Sequence, residues 1–392
     1  PGTTYYFALR AVDESGNASA LAAAQAWTPD RVPVGVLSRF AGLEKGMRQC
    51  AEGGPATLSL LSRPVGLALD GLGTLYVGST GDEAAVQSDR VLAVNAQGIV
   101  VSTAGSFVAG SSPDGVSAVE ARLGGPIGVA ATRARLLIAE NSNSALRKVE
   151  GGILGSIPAQ VLAPMLMAAD AEGNVLIADS GHHRILRMDG RTGGVSPVAG
   201  SGTVGNDNAG QALAARLNSP GGVAFTHDGG FLAADTQNHR VAKVRDGYLT
   251  TVAGIGSAGS SGDGVLAAWA ALNTPMGLAA DPLGAFYIAE SAGNVVRKVD
   301  AAGFITTVAG AGVAGDSGSD GPAVLARLDK PMGLALDPLR GLLFVADMNN
   351  NRVAAVGIDR FMSVASSRMV GSEPELTSIS TGALSLTEVS GA

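Results

Sequence analysis

One short phrase recurs six times along the chain, and it constrains the fold more than any other feature. The phrase is proline, any residue, usually glycine, an apolar residue, usually alanine, any residue and often aspartate. The copies are PVGLALD, PIGVAAT, PMLMAAD, PGGVAFT, PMGLAAD and PMGLALD, beginning at Pro64, Pro126, Pro164, Pro220, Pro275 and Pro331. The last four copies are almost evenly spaced, which is typical of a fold built from stacked supersecondary units.

Two further phrases follow the prolines in a fixed order. The first is an apolar run, alanine with an acid, a polar turn and a second apolar run, as in VLIADSGHHRILRM (175–188). The second is ITTVAG from Ile305 and its relatives. Each copy therefore holds four short apolar runs bounded by Gly, Pro, Asn and Asp, which predicts four strands. We predict an all-β fold, a six-bladed β-propeller of four-stranded blades.

The spacing also predicts how the ring is closed. The sixth copy has three strands ending near Val356, without a good TVAG phrase after them. A suitable run, VGVLSRFAG, starts at Val34 ahead of the first copy. Residues 34–41 are therefore predicted to form the outer strand of the last blade; the alternative is RFMSVAS, from Arg360. Links such as DGPAVLARL (320–328) predict about one and a half helical turns, and the second copy lacks this link.

Composition excludes several classes of function. The formal net charge is -7, which disfavours binding to a nucleic-acid backbone. No apolar run reaches the roughly 18 residues of a membrane span. The single cysteine, Cys50, excludes an internal disulfide framework and a cysteine-rich zinc site.

The ordered phrases TVAG, DGPA…ARL, P-x-G-L-A-x-D and ADSGHHRI or ADTQNHRV resemble the NHL-repeat family of propellers, in its bacterial type. The resemblance assigns residues 34–357 to the propeller. PGTTYYFALRAVDESGNAS resembles the last strands of a fibronectin type III domain, with Tyr5 as its corner tyrosine. Residues 1–28 would then be a partial β-sandwich, 29–33 a linker, and 358–392 a Ser/Thr/Gly-rich tail or linker.

These resemblances imply a non-catalytic binding or scaffold module of a larger protein that is extracellular, at the cell surface or periplasmic. A monomeric propeller in a multidomain chain would present its rim to a protein, peptide or glycan. The alternative is a metal-dependent lactonase- or lyase-like propeller enzyme with one divalent ion in its central channel. Its ion would need irregular carboxylates, and the least regular blades offer Asp82, Glu83, Asp89 and Glu140.

The polar turn supplies the candidate binding residues. They are Glu140, Asp179, His183, Arg184, Asp235, His239, Arg240, Glu290, Asn294, Asp347, Asn351 and Arg352. An acid repeated in five blades favours a structural role, in which it accepts hydrogen bonds from turn amides. We assign no catalytic or metal-ligating residue and no cofactor, although oxygen ligands leave Ca²⁺ open. The acidic loop with Asp316 and Asp320 lacks the terminal glutamate of a calcium loop and is interpreted as a flexible turn.

Overall fold

The computed structural model describes residues 7–9, 22–24, 32–42, 53–59, 61–81, 89–106 and 108–359. Near the start, β1 (Phe7–Leu9) pairs antiparallel with β2 (Ala22–Ala24). Tyr5 lies outside the described residues, so the fibronectin-like assignment stays a prediction, as do the domain boundaries. The next strand, β3 (Val36–Ala41), belongs to the propeller.

Six antiparallel sheets of four long strands follow, and they are the predicted blades. Blade 1 contains β4 (Pro64–Leu69), β5 (Leu75–Ser79), β6 (Arg90–Val94) and β7 (Val100–Ala104). Blade 2 contains β8 (Pro126–Ala131), β9 (Leu136–Glu140), β10 (Ala145–Glu150) and β11 (Ile153–Ile157). Blade 3 contains β12 (Pro164–Ala169), β13 (Val175–Asp179), β14 (Arg184–Met188) and β15 (Val195–Ala199).

The remaining blades repeat this order, with a short extra edge strand on two of them. Blade 4 contains β16 (Ala209–Gln211), β17 (Gly222–Phe225), β18 (Phe231–Asp235), β19 (Arg240–Arg245) and β20 (Tyr248–Ala253). Blade 5 contains β21 (Pro275–Ala280), β22 (Phe286–Glu290), β23 (Val295–Val299) and β24 (Ile305–Ala309). Blade 6 contains β25 (Gly321–Pro322), β26 (Pro331–Asp337), β27 (Leu342–Asp347), β28 (Arg352–Gly357) and β3. From the centre outward, the four long strands of each blade are called A to D.

The ring is closed as the spacing predicted. β3 pairs antiparallel with β28, with Leu37 opposite Val356 and Ala41 opposite Val353. The neighbours of β28 in its sheet are β27 and β3, so the alternative closure by the segment from Arg360 is wrong. The last blade is thus assembled from both ends of the propeller.

The repeated glycine of strand A allows neighbouring blades to approach closely. A Cβ atom on Gly277 would lie 2.1 Å from the carbonyl oxygen of Met332, and one on Gly222 would lie 2.0 Å from that of Met276. No side chain can be accommodated at such distances. Blade 3 has Leu166 at this position, and its side chain packs with Val65 and Met348 beside a small space lined by strand A residues of all six blades.

Apolar side chains form one cluster at each interface between neighbouring blades. Each cluster joins residues of two blades; Leu176 of blade 3, for example, packs with Ala233 of blade 4. Since the core is divided among the interfaces, a blade depends on its neighbours for burial of its faces.

The links from blade 1 to blade 2, from blade 4 to blade 5 and from blade 5 to blade 6 each contain one short 3-10 turn rather than the predicted one and a half helical turns. In the link from blade 4 to blade 5, this turn is Ala267–Trp269. The carbonyl of Ala267 accepts the N–H of Gly254, and its own N–H is donated to Gly303. These hydrogen bonds to neighbouring blades pair backbone groups that a longer helix would pair along its own backbone. None of the described segments is a helix long and apolar enough to span a membrane.

Candidate binding rim

The turns between strands B and C lie on the same face as the links between blades. This face is called the link rim; it comprises turns 141–144, 180–183, 236–239, 291–294 and 348–351 and links 105–125, 158–163, 200–219, 254–274 and 310–330. The opposite face, with the AB and CD turns, is called the turn face. Four of the twelve predicted binding residues, His183, His239, Asn294 and Asn351, lie in these turns, and the other eight lie at the ends of strands B and C that flank the turns.

Each acid at the end of strand B attaches a link to its blade. The Asp235 carboxylate accepts the backbone N–H of Asn218 at 2.7 Å, and Asp347 accepts that of Asp329 at 2.7 Å. Glu140, Asp179 and Glu290 accept link amides in the same way. All five acids are 0% exposed. They are therefore engaged with the protein's own backbone.

An arginine five residues after each aspartate pairs with it. The guanidinium Nε of Arg240 lies 2.8 Å from Asp235, and that of Arg352 lies 2.7 Å from Asp347. Arg184 pairs with Asp179 in the same manner at 2.7 Å. These guanidinium groups also donate to link carbonyls, as Arg240 does to Asp207 at 2.7 Å. Acid and arginine together fix the link against the blade.

Two arginines of this system were missed by the sequence argument. Arg297 donates to Glu290 at 3.1 Å, and Arg147 lies 3.6 Å from Glu140. Both arginines follow their acid by seven residues instead of five, which keeps them on the same face of strand C. The signal was present: where the acid is glutamate, the fifth position is apolar and the seventh is arginine. Glutamate is one methylene longer than aspartate and therefore reaches the arginine two residues further along strand C.

Burial sets the electrostatics of these acids. Loss of hydration raises the pKa of Asp235, whereas the hydrogen bond from Asn238, the charge of Arg240 and the amide of Asn218 act in the opposite direction. Desolvation also raises the pKa of Glu140, Glu290 and Asp347. An acid held in this way depends on its arginine, because neither charge is stable alone in the interior.

The last residue of each turn connects its blade to the next blade. His239 Nδ1 accepts the N–H of Thr274 at 3.2 Å, and His183 Nδ1 accepts that of Ser219 at 3.0 Å. Only the neutral imidazole with its proton on Nε2 can accept these bonds. Asn294, Asn351 and Ser144 make the equivalent bonds through side-chain oxygens. All five residues have φ between 49° and 54°.

The adjacent histidines 182 and 183 are therefore two parts of one repeated turn. His182 Nδ1 lies 3.0 Å from Asp179, in the position from which Asn238 and Asn350 donate to their acids. Within the described residues, no group of three or more His, Cys, Asp or Glu side chains could hold a metal ion.

The enzyme alternative requires irregular carboxylates that meet at one ion. The two candidates that the structure describes, Asp89 and Glu140, do not share such a site. Asp82 and Glu83 lie outside the described residues. Asp89 is buried and accepts the N–H of Gly81 at 3.3 Å, and Glu140 pairs with Arg147. In blade 1 a serine, Ser79, replaces the acid and accepts the N–H of Ser62.

The acidic loop predicted to be a flexible turn takes part in ring closure. Asp320 accepts the hydroxyl of Ser38 at 2.7 Å. Asp316 lies 3.3 Å from Arg39 and 2.6 Å from Arg352. Both acids therefore bind the closing strand or its neighbour in blade 6.

Apolar side chains fill the central channel. Val65, Leu166 and Met348 form a buried cluster, against which Ile127 and Met332 pack. Aliphatic and thioether groups do not suit Ca²⁺ or Mn²⁺, which prefer oxygen ligands. The described lining therefore does not fit the ion proposed for the channel.

Exposed aliphatic residues are distributed over the links of the link rim. Val108 is 50% exposed, Val204 53%, Ile255 55% and Val313 54%. The acids and arginines beneath them hold the links in place.

Comparison with known proteins is consistent with this architecture. No family model matches the chain. Teneurin-1 from Gallus gallus is 25% identical over 236 residues, which cover 55% of this chain and 8% of that protein. NHL repeat-containing protein 2 from Gallus gallus is 36% identical over 110 residues, 27% of this chain and 15% of that protein. The chain thus spans only a small part of these curated relatives.

A solved structure, described as an auxiliary nutrient binding protein from Bacteroides thetaiotaomicron VPI-5482, superposes with a TM-score of 0.60. It is 16% identical and covers 82% of this chain and 76% of its own. The chain is a six-bladed β-propeller with NHL-repeat homologues. The bacterial-type and fibronectin-like assignments stay predictions, as does the binding role of the twelve rim residues.

Proposed function

We propose that this chain is a non-catalytic binding or scaffold module of a larger extracellular, cell-surface or periplasmic protein. Its link rim would contact a protein, peptide or glycan ligand. The observation that carries this proposal is the arrangement of the links: buried acids and arginines fix them, while Val204, Ile255 and Val313 remain exposed above. Loops fixed before binding lose little conformational entropy on binding, and exposed aliphatic groups favour contact with a protein or peptide.

Two further observations support the proposal. A fold neighbour is described as an auxiliary nutrient binding protein, so this fold is compatible with a binding role. The fibronectin-like pattern of the first residues is typical of multidomain proteins outside the cytoplasm. The twelve turn residues would act as the frame of the rim, because their acids and arginines are engaged internally.

The experiment probes peptide and glycan arrays with the full chain and with two triple variants. The rim variant carries Val204→Ser, Ile255→Ser and Val313→Ser. The control carries Leu72→Ser, Leu283→Ser and Leu339→Ser on the turn face, where these leucines are 85%, 49% and 72% exposed. We expect a ligand that binds the wild type and the control equally and the rim variant at least about tenfold more weakly.

A ligand that the two variants lose equally, or the absence of any ligand on both arrays, would contradict the proposal. Metal analysis and melting with and without a chelator complete the test. One bound divalent ion with chelator-sensitive melting would favour the enzyme alternative instead.

A further inference from the structure

A cavity of about 320 Å³ opens on the turn face between blades 4 and 5. Its walls include the AB turn of blade 4 (His227), the AB turn of blade 5 (Asp281, Gly284) and the CD turn of blade 5 (Asp300). The volume lies at the lower end of the range for small-molecule sites. Leu266 and Ala268 of the link 254–274 also line the cavity, but none of the exposed residues invoked above (Val204, Ile255 and Val313) does, so the two proposals can be tested separately.

Residues that depart from the repeat line this cavity. In each long link, the carbonyl of a buried alanine accepts the N–H of the glycine that follows the preceding strand D. This shared hydrogen bond gives a common reference position at which the links can be compared. The next residue is Ala268 in the link that lines the cavity. The aligned residues in the other links are larger: Thr57, Val119, Leu213 and Val324. Ala268 therefore has the smallest side chain at this position among the long links.

His227 is the second departure. The aligned residues in the other AB turns are Gly71, Arg133, Ala171, Pro282 and Pro338. A Cβ atom on Gly284 would lie 3.1 Å from the His227 ring, so the imidazole packs directly against the AB turn of blade 5. The ring therefore forms one side of the cavity where the other blades have no aromatic group.

The interior of the cavity is mainly apolar. It is formed by Leu232, Val252, Leu266, Phe286 and Val299. Such a surface suits the hydrocarbon part of a ligand, since each buried methylene contributes about 0.8 kcal/mol in general.

The uncompensated charge on the walls is negative. Asp281 is 3% exposed, and its Oδ1 accepts the N–H groups of Leu283 and Ala285. Asp300 Oδ1 likewise accepts two amides of its own turn. Neither carboxylate forms an ion pair within the described part of the chain. The ammonium group of Lys243, which also lines the cavity, is neutralised by Asp228 at 2.7 Å.

We propose that this cavity binds a small organic cation, a primary amine on an apolar body. The ammonium group pairs with the carboxylates of Asp281 and Asp300, and the hydrocarbon part packs against Leu232, Val252 and Phe286. An anion of the same shape would be repelled, and a neutral alcohol would lack the charge-assisted hydrogen bond.

The test uses the full chain with hexylamine as the probe and hexanol and hexanoate as matched compounds. Binding is measured by calorimetry and by saturation-transfer NMR. Two variants examine the site, and each has a precedent within this chain. Ala268→Leu places in the cavity the residue that Leu213 provides in another link. Asp300→Asn removes the charge but keeps the turn, because Asn95 accepts the same two amides in blade 1.

We expect saturable binding of hexylamine, weakened at least about tenfold by either variant, as for loss of one charge-assisted hydrogen bond or of the space itself. Asp170→Asn, the same change in the AB turn of blade 3, should leave binding unchanged. Melting curves verify that the variants fold. Equal binding of hexanol or hexanoate, binding that Ala268→Leu leaves intact, or no saturable binding would each overturn the proposal.

Discussion

At the scale of single residues, the link rim uses different side chains for one geometric task. The last residue of each turn must adopt a left-handed backbone and present a hydrogen-bond acceptor to the next blade. Asn and His tolerate this backbone better than most residues, and both offer an acceptor. Blades 3 and 4 use histidine, whereas blades 5 and 6 use asparagine. The histidines that stand out in the sequence are therefore interchangeable members of a structural series.

Substitutions of His239 test this equivalence. His239→Asn supplies an acceptor for the N–H of Thr274 and should change the free energy of unfolding by less than about 0.5 kcal/mol. His239→Ala removes the acceptor while keeping the strained backbone, and should cost about 1–2 kcal/mol. Urea denaturation of the three proteins at pH 8 measures the difference. If asparagine destabilises as much as alanine, the bond to Thr274 is not what His239 contributes.

At the scale of elements, local charge pairs hold individual turns. In the AB turn of blade 4, Asp228 accepts hydrogen bonds from Lys243 Nζ at 2.7 Å and from the hydroxyl of Thr226 at 2.6 Å. These bonds, that from Lys243 first, hold the pKa of Asp228 well below its usual range. The other AB turns use an Asp or Thr at the first position to accept amides. Blade 4 thus adds a connection to strand C, because Asp228 binds both the amide of Gly230 and the ammonium group of Lys243.

This lowered pKa makes the contribution of Asp228 depend on pH. A carboxyl group with a lower pKa in the folded state stabilises the fold above its unfolded pKa, about 3.9, and loses this effect as pH falls further. Asp228→Asn should therefore lower stability at pH 7 by on the order of 1 kcal/mol. The difference in melting temperature between variant and wild type should begin to shrink as the pH falls below about 3.9 and continue to shrink at lower pH. Asp246→Asn, at a residue whose side chain is 87% exposed, is the control for net charge. A difference that does not depend on pH would contradict this assignment.

At the scale of the whole molecule, the features that repeat along the sequence could be predicted, whereas the features that depend on three-dimensional packing could not. The strands and the closure could be predicted because apolar runs and glycine spacings recur. The helical prediction for the links was wrong because hydrogen bonds to the neighbouring blades outweigh the helix preference of Ala and Leu. Arg147 and Arg297 were not predicted because aligning equivalent positions does not show that a glutamate reaches an arginine further along strand C than an aspartate does. The cavity beside Ala268 is lined by residues of blade 4, blade 5 and the link between them, which only three-dimensional packing brings together.

The prediction at the scale of the whole molecule concerns the strand that closes the ring. Deleting residues 31–42 removes β3, whose Leu37, Phe40 and Ala41 are at most 5% exposed. It also leaves Asp316 and Asp320 without their partners on that strand. The loss should exceed that of one large core side chain, several kcal/mol, and lower the melting temperature by about 10 °C or more.

A permuted chain separates the loss of contacts from the loss of residues. Residues 32–42 are moved to follow residue 359, so that β3 succeeds β28 through a short turn, as strand D succeeds strand C in the other blades. Val34 already forms a bridge with Gly357, which shows that the two segments are adjacent. Since the same strand returns to the same place, most of the lost melting temperature should be recovered in calorimetry. A deletion without effect, or a permuted chain as unstable as the deletion, would show that pairing between β3 and β28 is not what closes the ring.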